Sequence, residues 1–177
     1  MNNPNSQMIT VKGRYGEYEV SKDVVISFPS GIIGFPNSKD FIVLEYKEPF
    51  SFLQSVEEVD VSFVVIDGFD TMQSMNLKSP IGDAEIDLKE GDEFAVMLIV
   101  TIRNDPRDNT VNLKAPIFVN LKNRKGVQII YDDQRLSTRE PLWDEAAIKA
   151  MEETARIEEE ALKNSETKGG NKEEDKK

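Results

Sequence analysis

The chain has 177 residues, 38% hydrophobic and 31% charged, which is enough for one domain with a real core and too little for a second of ordinary size. It contains no cysteine and no histidine, which excludes disulfides, thiolate metal sites and thiol nucleophiles, and removes the imidazole on which Ser-His-Asp and Cys-His machinery depends. The formal charge is −11, from 22 basic and 33 acidic residues; such a surface repels phosphate backbones and anionic lipid and attracts a basic protein, or serves solubility alone.

In chain order, Met1–Gln7 is polar and lacks the basic start and apolar core of a signal peptide. The longest apolar run, Phe94–Val100, is too short to span a bilayer, so a soluble, cytoplasmic protein with no membrane contact is expected. Ile9–Val11 and Tyr15–Val20 flank Gly13 and Gly16 and read as an opening hairpin or a bulged strand. Val24–Phe28 is a β-branched run ended by Pro29-Ser30-Gly31. Phe41–Tyr46, Phe52–Val56 and Val61–Ile66 follow as strands, the last ended by Asp67-Gly68. Glu85–Leu88 is a short strand candidate between turns, and Glu93–Ile102 is the longest candidate. Thr110–Leu113, Ile117–Asn120 and Val127–Tyr131 complete the set; Pro116 should interrupt pairing between the first two. Asn123–Gly126 is a basic turn that makes the last two a hairpin.

Strands at this spacing, with no helical pattern between them, predict a mainly β protein, a small antiparallel β-barrel-like or sandwich domain. The composition then changes. From Asp144 to about Leu162 the residues are good helix formers apart from β-branched Ile, and Ile148, Met151, Ala155 and Leu162 fall near one face. This helix should cap an open end of the barrel or project to bind something. Residues 144–177 hold 11 acids and 7 bases, a net of −4, so residues 1–143 carry the remaining −7. From Asn164 onward the sequence offers nothing to bury and reads as a disordered tail. The resulting division is a β domain over 1–142, a helix over 143–163 and a polar tail over 164–177.

Few constellations suggest chemistry. Gly31-Ile32-Ile33-Gly34 lacks the spacing, lysine and following helix of a phosphate loop. A tight turn there would present Ile32, Ile33 and Phe35, either as a plug for the barrel mouth or as an exposed patch for a partner. Asp132-Asp133 and the pair Asp67 and Asp70 lack metal-loop spacing and read as turn residues. Lys122–Lys125 has no interleaved aromatics and reads as a solvated hairpin tip. Gln54-Ser55-Val56-Glu57-Glu58 predicts a helical turn, with Ser55 capping and Glu58 three residues on.

One stretch resembles a known family. Phe28-Pro29-Ser30-Gly31-Ile32-Ile33-Gly34-Phe35-Pro36 is similar to the opening signature of the FliW family, bacterial flagellar assembly factors. In register behind it come Pro49–Ser55, with the family's proline-phenylalanine and leucine-glutamine-serine element, and the strand Val61–Asp67. Val111–Asn120 resembles the second signature, and Gly126–Ile130 with Arg139–Leu142 the closing segment. The match covers about residues 9 to 142. Departures are Gly68 in place of a proline, no tyrosine within Asp70–Lys78, Arg135-Leu136 in place of a tyrosine, and a helix and tail after Pro141 that exceed the compact family pattern.

The resemblance implies a small β-barrel-like protein without enzymatic activity or cofactor, expected to be a monomer. It would bind the translational repressor CsrA at a place distinct from the RNA surface, relieving repression of flagellin mRNA allosterically. It would also bind flagellin as a competing partner, with no direct nucleic-acid binding. The candidate partner-binding residues are Ile32, Ile33 and Phe35 in the turn and Gln54, Glu57 and Glu58 beyond the following strand. The competing classes are a carboxylate-based hydrolase on a β-barrel, which needs a pocket of converging polar groups, and an RNA-binding barrel, which needs a basic face with exposed aromatics.

Overall fold

The computed structural model describes residues 6–169. Its strands are β1 (Met8–Gly13), β2 (Gly16–Ser21), β3 (Ile26–Ser27), β4 (Asp40–Glu45), β5 (Ser51–Ser55), β6 (Ser62–Asp67), β7 (Phe94–Thr101), β8 (Thr110–Val111), β9 (Ile117–Asn120), β10 (Lys125–Gln128) and β11 (Glu140–Pro141). The described residues form two α-helices, α1 (Phe69–Ser74) between β6 and β7, and α2 (Glu145–Gly169) after β11.

Seven of these strands close into a barrel in the order β7-β6-β5-β4-β3-β10-β9, with β9 returning to β7. Closure removes the free edges that an open sheet would expose. All neighbours are antiparallel except β3 and β10, which run parallel through Ser27 and Lys125. The register sets the faces, because successive side chains on a strand point to opposite sides. Phe41 opposes Ser55, Leu53 opposes Phe63, Val65 opposes Ile99 and Met97 opposes Ile117. These positions turn inward and, with Ile26, Phe28, Ile32 and Val119, fill the barrel. Full burial of each such side chain stabilises by about 1.5–3 kcal/mol.

The alternate positions face outward and are covered by three layers. The β1–β2 hairpin stands apart as its own two-stranded sheet, with Val11 fully buried and Tyr15 against Phe52 at 5.0 Å between ring centres. Met72 of α1, with Ile86 and Leu88, covers Val96, Phe118 and Val127. Leu113, Leu136 and Leu142 cover Leu98 and Val100, together with Val64 and Ile66. Buried Asn120 fastens the second layer: its Nδ2 donates to the Ile86 carbonyl at 3.0 Å, and Asn123 Nδ2 donates to the same oxygen at 2.9 Å.

The expected mainly β architecture is a barrel rather than a sandwich. Several local expectations change. Val24 belongs to a 3-10 turn over Lys22–Val24, leaving only Ile26–Ser27 as strand. Glu85–Leu88 forms turns, because its buried residues pack on the barrel wall and no free strand edge meets them. Helix α1 lies where no helix was expected. Asp67 Oδ1 accepts from the Phe69 N–H at 2.8 Å to start it, and Phe69 and Met72 turn toward the barrel. Six residues are too few to show a helical period. Pro116 interrupts pairing as expected: β8 and β9 both pair with β7, at Val100 and at Met97, and Asn112–Pro116 loops out between them. The α2 backbone continues through Gly169, past the expected boundary at Lys163. The rest of the expected tail, 170–177, lies outside the described residues.

Candidate protein-binding surface

The glycine turn closes one end of the barrel. Gly31 and Gly34 both have positive φ, 74° and 89°. At Gly31 a Cβ would lie 2.5 Å from the Phe35 carbonyl oxygen, so no other residue fits. The turn is drawn shut by the Phe35 N–H donating to the Ile32 carbonyl at 2.7 Å. Gln128 fixes it to the barrel, accepting from the Ile33 N–H at 3.0 Å and donating to the Ala115 carbonyl at 3.0 Å.

The three apolar residues of the turn divide. Ile32 is 2% exposed and is part of the barrel plug, which corrects its place among the partner-binding candidates; its side chain cannot meet a partner without leaving the core. Ile33 is 52% exposed and Phe35 40%. Phe35 leans edge-on against Phe63 at 5.3 Å, which presents one side of its ring outward.

Gln54 is also corrected. It is 1% exposed, and its Nε2 lies 3.1–3.3 Å from the carbonyl oxygens of Ser55, Glu58, Val59 and Val61. The side chain thus organises the 56–61 loop from beneath. Gly13 of the opening hairpin passes directly over it; a Cβ there would lie 3.0 Å from Gln54 Oε1. Ser55 Oγ accepts the N–H groups of Glu57 and Glu58 at 3.2 and 3.1 Å, but no helix follows, because residues 56–60 turn back at once into β6. Glu57 and Glu58 are exposed and tied to the neighbouring strand. The Glu57 carboxylate accepts from the Asp40 N–H at 3.1 Å, and Ser38 Oγ donates to Glu58 Oε1. Ile33, Phe35, Glu57 and Glu58 therefore sit on two tethered loops that close the same end of the barrel.

A second surface was not anticipated. On the outer wall, Tyr15 and Tyr18 of the hairpin, Leu44 and Tyr46, Phe50 and Phe52, Val64 and Ile102 line a groove of about 530 Å³. Tyr46 lies 4.9 Å from Phe52, and Phe50 meets Trp143 edge-on at 6.0 Å. In the sequence these residues look like ordinary strand positions; only the outward parity of Leu44, Phe52 and Val64 marks them, and that needs the register. Aromatics and aliphatics gathered on an exterior wall are a usual sign of a protein contact.

One member of each acidic pair has a structural partner. Asp67 Oδ1 accepts from the Phe69 N–H in the turn that leads into α1, and Asp133 accepts from Arg135 Nη2 at 2.6 Å. The Arg135 guanidinium, helped by the Arg135 backbone N–H, holds the Asp133 carboxyl down at about 2. No group of His, Cys, Asp or Glu among the described residues could hold a metal ion. No helix among them is long and apolar enough to cross a membrane.

Fold and surface define a small closed β-barrel with exposed apolar side chains at one end and on one outer wall. Residues 10–142 match the family model "FliW protein". The chain is 38% identical over 140 residues to a flagellar assembly factor FliW of Natranaerobius thermophilus, covering 77% of this chain and 93% of that one. It is 40% identical over 145 residues to one of Desulfitobacterium hafniense, covering 79% and 94%. A solved structure, the crystal structure of the flagellar assembly factor FliW, superposes with a TM-score of 0.67 at 28% identity, covering 78% of this chain and 99% of that one. The chain belongs to the FliW family of flagellar assembly factors.

Proposed function

We propose that this protein is a regulatory binding protein without catalytic activity, which captures a CsrA-type translational repressor and so relieves repression of flagellin mRNA. On this reading it also binds flagellin, and the two proteins compete for it. Flagellin leaving the cell then frees the antagonist, and synthesis resumes. Release of RNA is allosteric, through a site on the repressor apart from its RNA surface.

The observation that carries the reading is family membership over 10–142. The exterior supports it. A charge of −11 steers a basic, RNA-binding protein toward this one and repels the RNA itself. Exposed Ile33, Phe35 and the aromatic wall give such a partner apolar surface to bury.

A gel-shift with labelled flagellin leader RNA tests it. Adding this protein to the repressor–RNA complex should abolish the shifted band, and the protein alone should never shift RNA. A shift by the protein alone would favour the RNA-binding barrel. An undisturbed repressor–RNA band at saturating protein would refute the antagonist role.

A further inference from the structure

Helix α2 begins after the last residue that the family model matches, and its sequence is ordered. Glu145, Glu152 and Glu159 recur every seven residues, as do Lys149, Arg156 and Lys163. On a helix this places the charges on one side and leaves Ala147, Ala150, Met151, Thr154 and Ala155 on the other. The barrel holds only the first turns of the helix, and it does so along the border of the charged side. Ile148 is buried and Trp143 touches Phe50, and Arg107 ties down Glu152. Beyond that point the described side chains are exposed, Ile157 among them.

The apolar side does not face empty solvent. It forms one wall of an open trough of about 520 Å³, with Lys47 of the barrel on the far side. Lys47 also lines the aromatic groove, so trough and groove adjoin at this residue and together offer a cleft with a barrel wall and a helix wall. Glu45 stands on the first wall and Glu158 on the second. Neither forms an ion pair among the described residues.

Resting on the protein-binding reading above, we propose that this cleft receives an amphipathic helix of a partner protein, with basic residues beside its apolar stripe. The stripe lies between Tyr46 and Phe52 on one wall and Ala150 and Ala155 on the other; the basic residues meet Glu45 and Glu158. Small residues on α2 let a second helix approach closely, since interaxial distance follows the side chains at the contact. A second copy of α2 is a poor occupant, because it would carry its own Glu158 into the stripe opposite the first. The extension after residue 142 thus enlarges the docking surface of this chain.

Calorimetric titration of the full chain with the repressor, and separately with flagellin, tests the proposal. The variants are Ala150→Glu and Ala155→Glu on the helix wall, Tyr46→Glu on the barrel wall, and Glu158→Lys. The three alanine and tyrosine positions are exposed, so unchanged circular dichroism is expected. Each variant should lose at least about tenfold in affinity for the same one of the two proteins, and Glu158→Lys should also flatten the salt dependence. Parental affinity in all four variants overturns the cleft while leaving the proposed function intact. A parent chain that binds neither protein overturns both. A parent that sediments as a dimer, with monomeric wall variants, assigns the cleft to self-association and overturns the partner helix.

Discussion

The ring of Phe28 packs directly against the backbone of Gly126: a Cβ on that glycine would sit 2.4 Å from Phe28 Cε1. Phe28 is fully buried, and Gly126 lies on β10 next to β3, at the only parallel junction of the barrel. The first family signature and the closing segment therefore meet ring to glycine. Gly126→Ala should cost about 1–3 kcal/mol, because the core has no room for the ring to retreat. Phe28→Ala should cost about 3–5 kcal/mol through the cavity it leaves. Urea unfolding of both variants measures this.

The glycine turn separates packing from binding by a single residue. Ile32→Asp should unfold the barrel or lower its melting temperature sharply, since it places a charge in the plug. Ile33→Asp and Phe35→Asp should melt close to the parent and weaken partner capture in a pull-down by several-fold. Parental capture by both folded variants would remove the turn from the interface.

Gln54 acts from beneath the surface. Gln54→Leu strands carbonyls of the 56–61 loop that its amide now serves, a loss of about 1–3 kcal/mol. Amide hydrogen exchange should rise in residues 56–61 and in the hairpin around Gly13. Exchange unchanged in both places would contradict the tether.

Asp133 gives a pH signature. Its folded carboxyl titrates at about 2, below its ordinary 3.8. A depressed carboxyl contributes stability that is present above the ordinary value and is lost as pH falls through the folded one. The carboxyl carbon should therefore show an NMR midpoint near 2 in the parent, and Arg135→Ala should move it upward. A midpoint already at the ordinary value in the parent would remove the ion pair with Arg135.

Much of the barrel was legible in the sequence. β4, β5, β6, β7 and β9 fall where apolar runs bounded by glycine, proline and aspartate predicted them, because such runs supply both the barrel interior and the wall beneath the covering layers. What was not legible depended on distant partners. Glu85–Leu88 buries Ile86 and Leu88 and reads like a strand, yet it packs on the wall without pairing. Helix α1 is too short to show a period. Ile32 and Ile33 are identical side chains in neighbouring positions, and only the turn geometry set by Gly31 and Gly34 decides which is buried. Gln54 resembled a surface residue until four carbonyls surrounded its amide. The departure at Gly68 has a local reason: a Cβ there would lie 2.6 Å from Leu98 Cγ, so this chain packs Leu98 against bare backbone. The aromatic groove draws on five separate segments, and spacing along one strand cannot reveal such a surface.

The account requires that this barrel works by holding another polypeptide. Light scattering behind size exclusion, on purified protein mixed with the CsrA-type repressor and separately with flagellin, tests that most directly. A single faster-eluting peak of summed mass is expected with each. Two peaks at the masses of the free components in both mixtures would contradict it.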